Sequence, residues 1–149
     1  MINRTKKFNK KLWRENDKKG KKFATSILKK IYGSNIKTVE GTEYGVDLKL
    51  FNEDNTLIKT VEVEVRHNWG NDNKFPFDTL NIPYRKNKFF TNNICEYISI
   101  NKLFTRCLLV KEKDILNSPI EENKNKYVKR GEKFFKINFF YRFTTMMQI

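Results

Sequence analysis

The sequence predicts an α+β fold in which one N-terminal helix precedes a mostly β chain. Three observations predict it. Apolar residues recur at three- and four-residue spacing only before Gly33, two-residue alternation dominates the chain beyond it, and no internal repeat or Pro/Gly-rich linker divides the 149 residues. A chain of this length holds one modest core rather than two. The expected organisation is a basic arm over 1–14 and a single domain over 15–149.

Taken in order, the Lys/Asn-rich arm is expected to be mobile until it meets a ligand. Asp17 is placed to cap a helix running to about Tyr32, with Phe23, Ile27, Leu28 and Ile31 on its apolar stripe and Gly33 as its stop. A strand over Asn35–Glu40 comes next. Gly45–Phe51 and Leu57–Arg66 alternate with period two around Asn52-Glu53-Asp54-Asn55, a hairpin. Leu80–Lys86 is a further strand in which Pro83 marks an edge or break. Glu96–Ile100 and Arg106–Val110 complete the set, with Cys107 reading as buried packing. Ser118–Lys126 reads as a polar loop, and the aromatic segment Gly131–Phe143 as the strand that closes the sheet.

Charge is the strongest compositional signal. Lys and Arg number 31 against 17 Asp and Glu, a net of +14. The excess is uneven: +10 over Met1–Gly33, −4 over Ser34–Glu64, and positive again beyond. Basic flanks attract a polyanion, and carboxylates set between them repel it unless a divalent cation intervenes. The competing partners for such a surface are an anionic membrane face or an acidic protein. No apolar run is long enough for a membrane span, and no secretory signal follows Met1. Two cysteines and a single histidine, His67, exclude a Cys/His zinc site and a disulfide framework. An intracellular, cytoplasmic protein is the expectation. Neither phosphate-binding glycine motif occurs, so nucleotide-loop chemistry is unsupported.

The hairpin carries the chemistry. Alternation puts Val46, Leu48 and Leu50 on one face and Asp47, Lys49 and Phe51 on the other; in the next strand Ile58, Thr60, Glu62, Glu64 and Arg66 share a face. A four-residue loop pairs Phe51 with Thr56 and Asp47 with Thr60, making Asp47 the diagonal neighbour of Glu62. Three carboxylates, Asp47, Glu62 and Glu64, would then converge, an oxygen-rich set suited to Mg²⁺ or Mn²⁺. A half-buried hairpin also carries charged residues on its outer face with no ligand at all, and Lys49 opposite acids is then plain cross-strand pairing.

Helix, Gly45-Val46-Asp47-Leu48, then Val61-Glu62-Val63-Glu64-Val65-Arg66 resembles the core of the PD-(D/E)XK nuclease superfamily over about residues 15 to 110. The resemblance implies a mixed central sheet of the restriction-endonuclease-like type and Mg²⁺-dependent phosphodiester cleavage. It implies Asp47 and Glu62 as metal ligands, with Glu64 standing where the motif has lysine, a Glu-x-Glu variant. In the alternative register Glu64 is the acid and Arg66 the basic member, able to stabilise charge but not to take a proton. Lys86 is a candidate for a cation supplied from elsewhere, and Glu15 or Asp17 for the acid that the superfamily's helix adds. The implied substrate is nucleic acid, DNA ahead of RNA, and enzymes of the superfamily that cut both strands are often homodimers. A non-catalytic nucleic-acid-binding protein that keeps the fold is the alternative, and a basic interaction protein with merely solvated acids a third.

Lys6, Lys7, Lys10, Lys11, Arg14, Lys18, Lys19, Lys21, Lys22 and Arg85 read as phosphate contacts or a solubilising surface. Trp69, Phe75 and Phe77 lie where a substrate-binding flap would be. Phe134, Phe135, Phe139, Phe140, Tyr141 and Phe143 read mainly as core, with base stacking the other use. His67 follows the acidic strand, within reach of a phosphate or simply structural. The lysine- and asparagine-rich composition fits an A/T-rich genome such as that of a virus or mobile element.

Overall fold

Residues 10–42, 45–70, 75–91, 94–125, 128–138 and 144–148 are described by the computed structural model. The predicted apolar stripe makes helix α1, Lys10–Tyr32, which buries Ala24, Ile27 and Leu28. Ile31, on the expected stripe, is exposed instead. The helix begins ahead of Asp17, because Lys, Leu, Arg and Glu favour a helical turn there. Asp17 is therefore not a cap but pairs with Lys21 one turn on, at 3.0 Å. Only 10–14 of the expected arm fall within the described residues, and they are helical; Lys6 and Lys7 lie outside them. Gly33 ends the helix at φ 104°, its N–H on Lys29 O.

The strands are β1 (Lys37–Glu40), β2 (Leu48–Phe51), β3 (Leu57–Arg66), β4 (Thr79–Pro83), β5 (Cys95–Asn101), β6 (Arg106–Lys111), β7 (Ile120–Asn125), β8 (Val128–Asn138) and β9 (Thr144–Gln148). Six form a mixed sheet in the order β1-β2-β3-β5-β6-β9, in which only β3 and β5 run parallel. The others make a second sheet, β4-β8-β7. A 3-10 turn, Tyr84–Lys86, and helix α2, Asn87–Thr91, come after β4; helix α3, Glu112–Leu116, comes after β6.

Alternation along β5 and β6 separates two cores. Ile98, Ile100, Cys107 and Leu109 pack with α1, β2 and Val61. Cys95, Tyr97, Leu108 and Val110 pack with Leu80, Ile82, Phe135 and Ile137 of the second sheet and with Trp69, Phe75 and Phe90. The large sheet is thus covered on both faces, and every residue of β5 is buried.

Several expectations change. Ser118–Lys126 is not a loop: Ile120–Asn125 is strand β7, polar because it lies at an edge and held by pairing to β8. The aromatic segment does not close the large sheet. Its β8 part pairs with β4 and β7, and β9 lies beside β6; Phe139, Phe140, Tyr141 and Phe143 fall outside the described residues. Leu80–Lys86 stops being strand at Pro83, whose fixed φ starts the 3-10 turn. Trp69 and Phe75 are no flap: both are buried, edge to face with ring centroids 5.2 Å apart. Among the described residues no helix is long and apolar enough to cross a membrane.

Candidate active site

The hairpin register sets the site. Asn52 closes the turn by donating its N–H to Thr56 O and accepting at Oδ1 from the N–H groups of Asp54 and Thr56, with Asn55 at φ 60°. Phe51 therefore pairs with Leu57, not Thr56. A bulge at Leu50/Phe51 then brings Leu50 to Lys59 and Leu48 to Val61. Leu48 with Val61 lies two residues from the expected pairing, so Asp47 and Glu62, the next residues along, keep a shared face and come abreast, while the bulge turns Ile58 into the helix-side core.

The loop before β2 is pinched to deliver Asp47. Gly41 donates its N–H to Asp47 O at 3.0 Å, and a Cβ on Gly41 would stand 1.7 Å from Val46 O. Only glycine lets the two backbones approach so closely.

Asp47 and Glu62 then hold each other through main chain. The Asp47 N–H donates to Glu62 Oε2 at 2.9 Å, and the Val63 N–H donates to Asp47 Oδ2 at 2.8 Å. Glu62 is 3% exposed. Its other oxygen, Oε1, lies 3.1 Å from Lys86 Nζ, which the 3-10 turn after β4 brings in from the second sheet. Burial pushes the Glu62 carboxyl up to about 7; Lys86 and the Asp47 N–H oppose that rise, and the Asp47 charge adds to it.

Glu64 does not join this pair. Its Oε2 accepts from the Tyr97 hydroxyl, and its Oε1 accepts from Ser99 Oγ at 3.1 Å and pairs with Arg66 Nε. Arg66 also reaches Ser99 Oγ and donates from Nη2 to Asn81 O of β4 at 2.8 Å. Among the described residues no group of three or more His, Cys, Asp or Glu side chains is disposed to hold a metal ion. The expected three-carboxylate patch is therefore a two-carboxylate pair. The parallel pairing of β3 with β5 explains it: Tyr97 and Ser99 stand opposite Glu62 and Glu64 and share their face, so Glu64 meets hydroxyl donors.

The helix face completes the surroundings. Lys21 pairs with Asp17; burial works against its ammonium, but Asp17, helped by Asp47 and Glu40, outweighs that and holds its pKa above the ordinary lysine range. Lys21 is thus internally paired rather than an open phosphate contact. Lys10, Lys11, Arg14 and Lys18 line a groove of about 620 Å³ with Glu15, Asp17 and Glu40. Lys19 and Lys22 border a smaller one, of about 250 Å³, beside Phe23 and Phe104. Arg85 is exposed and lies 3.5 Å from Glu132, and His67 is exposed. Both cysteines are buried, and burial drives the Cys95 thiol up to about 12.

A second ionic group lies on the helix side of the sheet. Lys59 Nζ is 2.6 Å from Glu96 Oε1 and 2.6 Å from the Tyr32 hydroxyl, which itself donates to Glu96. Glu96 is 1% exposed, and its Oε2 has no hydrogen-bond partner among the described residues. Sequence reasoning passed over this group and over Tyr97 and Ser99. A signal existed: Lys59 and Glu96 occupy the apolar phase of their strands, beside Val61 and Ile98, where an unpaired charge is costly.

Asp47 and Glu62 suit a hard divalent cation by donor chemistry. Backbone N–H groups use one oxygen of each, Lys86 pairs with Glu62 Oε1, and Mg²⁺ takes one or two carboxylates plus water and phosphate. No protein-family model matches this chain, and no curated protein or solved structure matches it significantly.

Proposed function

We propose that the protein is a divalent-metal-dependent DNA endonuclease of PD-(D/E)XK type, acting inside the cell. The observation that carries this reading is Asp47 opposite Glu62 where β2 parts from β3, with Lys86 Nζ 3.1 Å from Glu62 Oε1. The large sheet supports it. An antiparallel β1-β2-β3 unit, a parallel β5 beside β3 and a helix across one face agree with the restriction-endonuclease-like arrangement that the motif implies.

When bound, Mg²⁺ or Mn²⁺ supplies a water of lowered pKa and neutralises the phosphate. Asp47 and Glu62 would hold the cation. Lys86 fills the role of the lysine missing two residues after Glu62 and offsets charge building on the phosphoryl oxygens. Arg66 fixes Glu64 against β4 and β5 and takes no proton. Lys10, Lys11, Arg14 and Lys18, in a groove that shares Asp17 and Glu40 with the surroundings of Lys21, would carry the phosphate backbone toward the acids. Cutting both strands at once would take two such sites, hence a homodimer.

The test is incubation with plasmid and single-stranded DNA in Mg²⁺, Mn²⁺ or EDTA. Cleavage that needs metal and disappears in Asp47→Asn and Glu62→Ala supports the assignment; cleavage surviving Glu62→Ala refutes it. One observation favours a second reading, a nucleic-acid-binding module without catalysis: Glu64 is fully engaged by Arg66, Tyr97 and Ser99. Salt-sensitive binding with no cleavage in any metal would select it.

A further inference from the structure

We propose that Lys86 is the resident counter-ion of Glu62, and that it gives up that carboxylate when a divalent cation binds beside Asp47. The inference rests on the metal-dependent reading and goes beyond it, because it makes Lys86 a moving group rather than a fixed one.

Three observations carry it. Glu62 is almost wholly buried, and its Oε2 is taken by the Asp47 N–H, so Oε1 is the oxygen left to balance its charge. Lys86 Nζ meets that oxygen at 3.1 Å. A cation shared by Asp47 and Glu62 would need the same oxygen, and two cations on one carboxylate oxygen repel strongly at such short range. Lys86 has somewhere to go. It sits on a 3-10 turn and its side chain is 17% exposed, so a change of rotamer carries the ammonium toward solvent. Lys21, by contrast, is tied to Asp17 on the helix side and needs no displacement.

The exchange is read directly on the full chain by reductive methylation of lysines with peptide-resolved mass spectrometry, with and without saturating Mg²⁺ at constant ionic strength. Labelling of Lys86 should rise about three-fold or more with Mg²⁺, since a freed ammonium reacts faster than a paired one, while Lys59 stays unchanged. In Asp47→Asn the Mg²⁺ effect should vanish. Unchanged or reduced Lys86 labelling in the wild-type chain overturns the proposal. A second measurement is Mg²⁺ affinity by calorimetry at mildly alkaline pH: Lys86→Met should bind about ten-fold tighter, and equal or weaker binding overturns the exchange. Both readouts are independent of cleavage. A chain that releases Lys86 on Mg²⁺ but cuts no DNA fails the nuclease reading and keeps this one; a chain that cuts DNA with Lys86 unresponsive does the reverse.

Discussion

Asp47 and Glu62 are cross-bonded through each other's strand: the Asp47 N–H serves Glu62 Oε2, and the N–H of Val63, next to Glu62, serves Asp47 Oδ2. These main-chain hydrogen bonds hold the two acids close. Backbone N–H groups and Lys86 offset part of their charge, and burial still holds the Glu62 carboxyl up at about 7.

The first prediction concerns proton linkage at Glu62. Its folded-state pKa, about 7, lies above the ordinary carboxylate value, so its contribution is fully present below about pH 4 and is lost as pH rises through about 7. Glu62→Gln removes that loss. The stability of Glu62→Gln minus that of wild type should therefore grow from about pH 5 to about pH 8, by on the order of 2 kcal/mol in metal-free buffer. Urea unfolding at the two pH values checks it, and a difference independent of pH counts against a raised Glu62.

Lys59→Met should destabilise the protein by about 3–5 kcal/mol, because it leaves Glu96 buried without its cation. Adding Glu96→Leu to the same chain should recover most of the loss, since the apolar replacement removes the stranded charge. Thermal melts of the single and double variants decide it.

Gly41→Ala is expected to weaken metal binding without touching a carboxylate. The added Cβ would need the space of Val46 O, so the loop must open and Asp47 must shift from Glu62. A loss of about 1–3 kcal/mol in stability, with reduced Mg²⁺ affinity, is the expected outcome by chemical denaturation and calorimetry.

Glu64 should prove less important to the cation than Asp47. Glu64→Gln should keep Mg²⁺ affinity within about three-fold, whereas Asp47→Asn should lose about ten-fold or more. Equal losses from the two changes would restore Glu64 to the ligand set.

If DNA lies along the groove of α1, replacing Lys10, Lys11, Arg14 and Lys18 together by Ala should lower the slope of log affinity against log salt by up to about 3.6, at about 0.9 per phosphate contact. Anisotropy titrations of a labelled duplex at several salt concentrations measure it, and an unchanged slope removes this face from the interface.

Much is legible in the sequence. Alternation locates Leu57–Arg66 at its observed bounds and puts Asp47 and Glu62 on one face, and that survives a two-residue error in register because a strand's side chains repeat every two residues. The apolar stripe finds α1, and the apolar neighbours of Cys107 mark it as the buried residue it is. Strand β7 is not legible. Ile120–Asn125 carries little apolar content, and its strand character comes from the partner it pairs with. Trp69 and Phe75 are loop residues as read, but their burial is not legible because nothing local signals the sheet that covers them.

By itself, then, the sequence determined the α+β order of elements, the basic excess, and which hairpin side chains share a face; all are properties of local periodicity and composition. Only tertiary structure decided what each acid meets. A second sheet folds over the acidic face and brings Lys86 to Glu62 and Asn81 to Arg66, while β5 sets Tyr97 and Ser99 against Glu64. The physical reason is that a strand's alternation sets the direction of a side chain but carries no information about the distant segment that will arrive there.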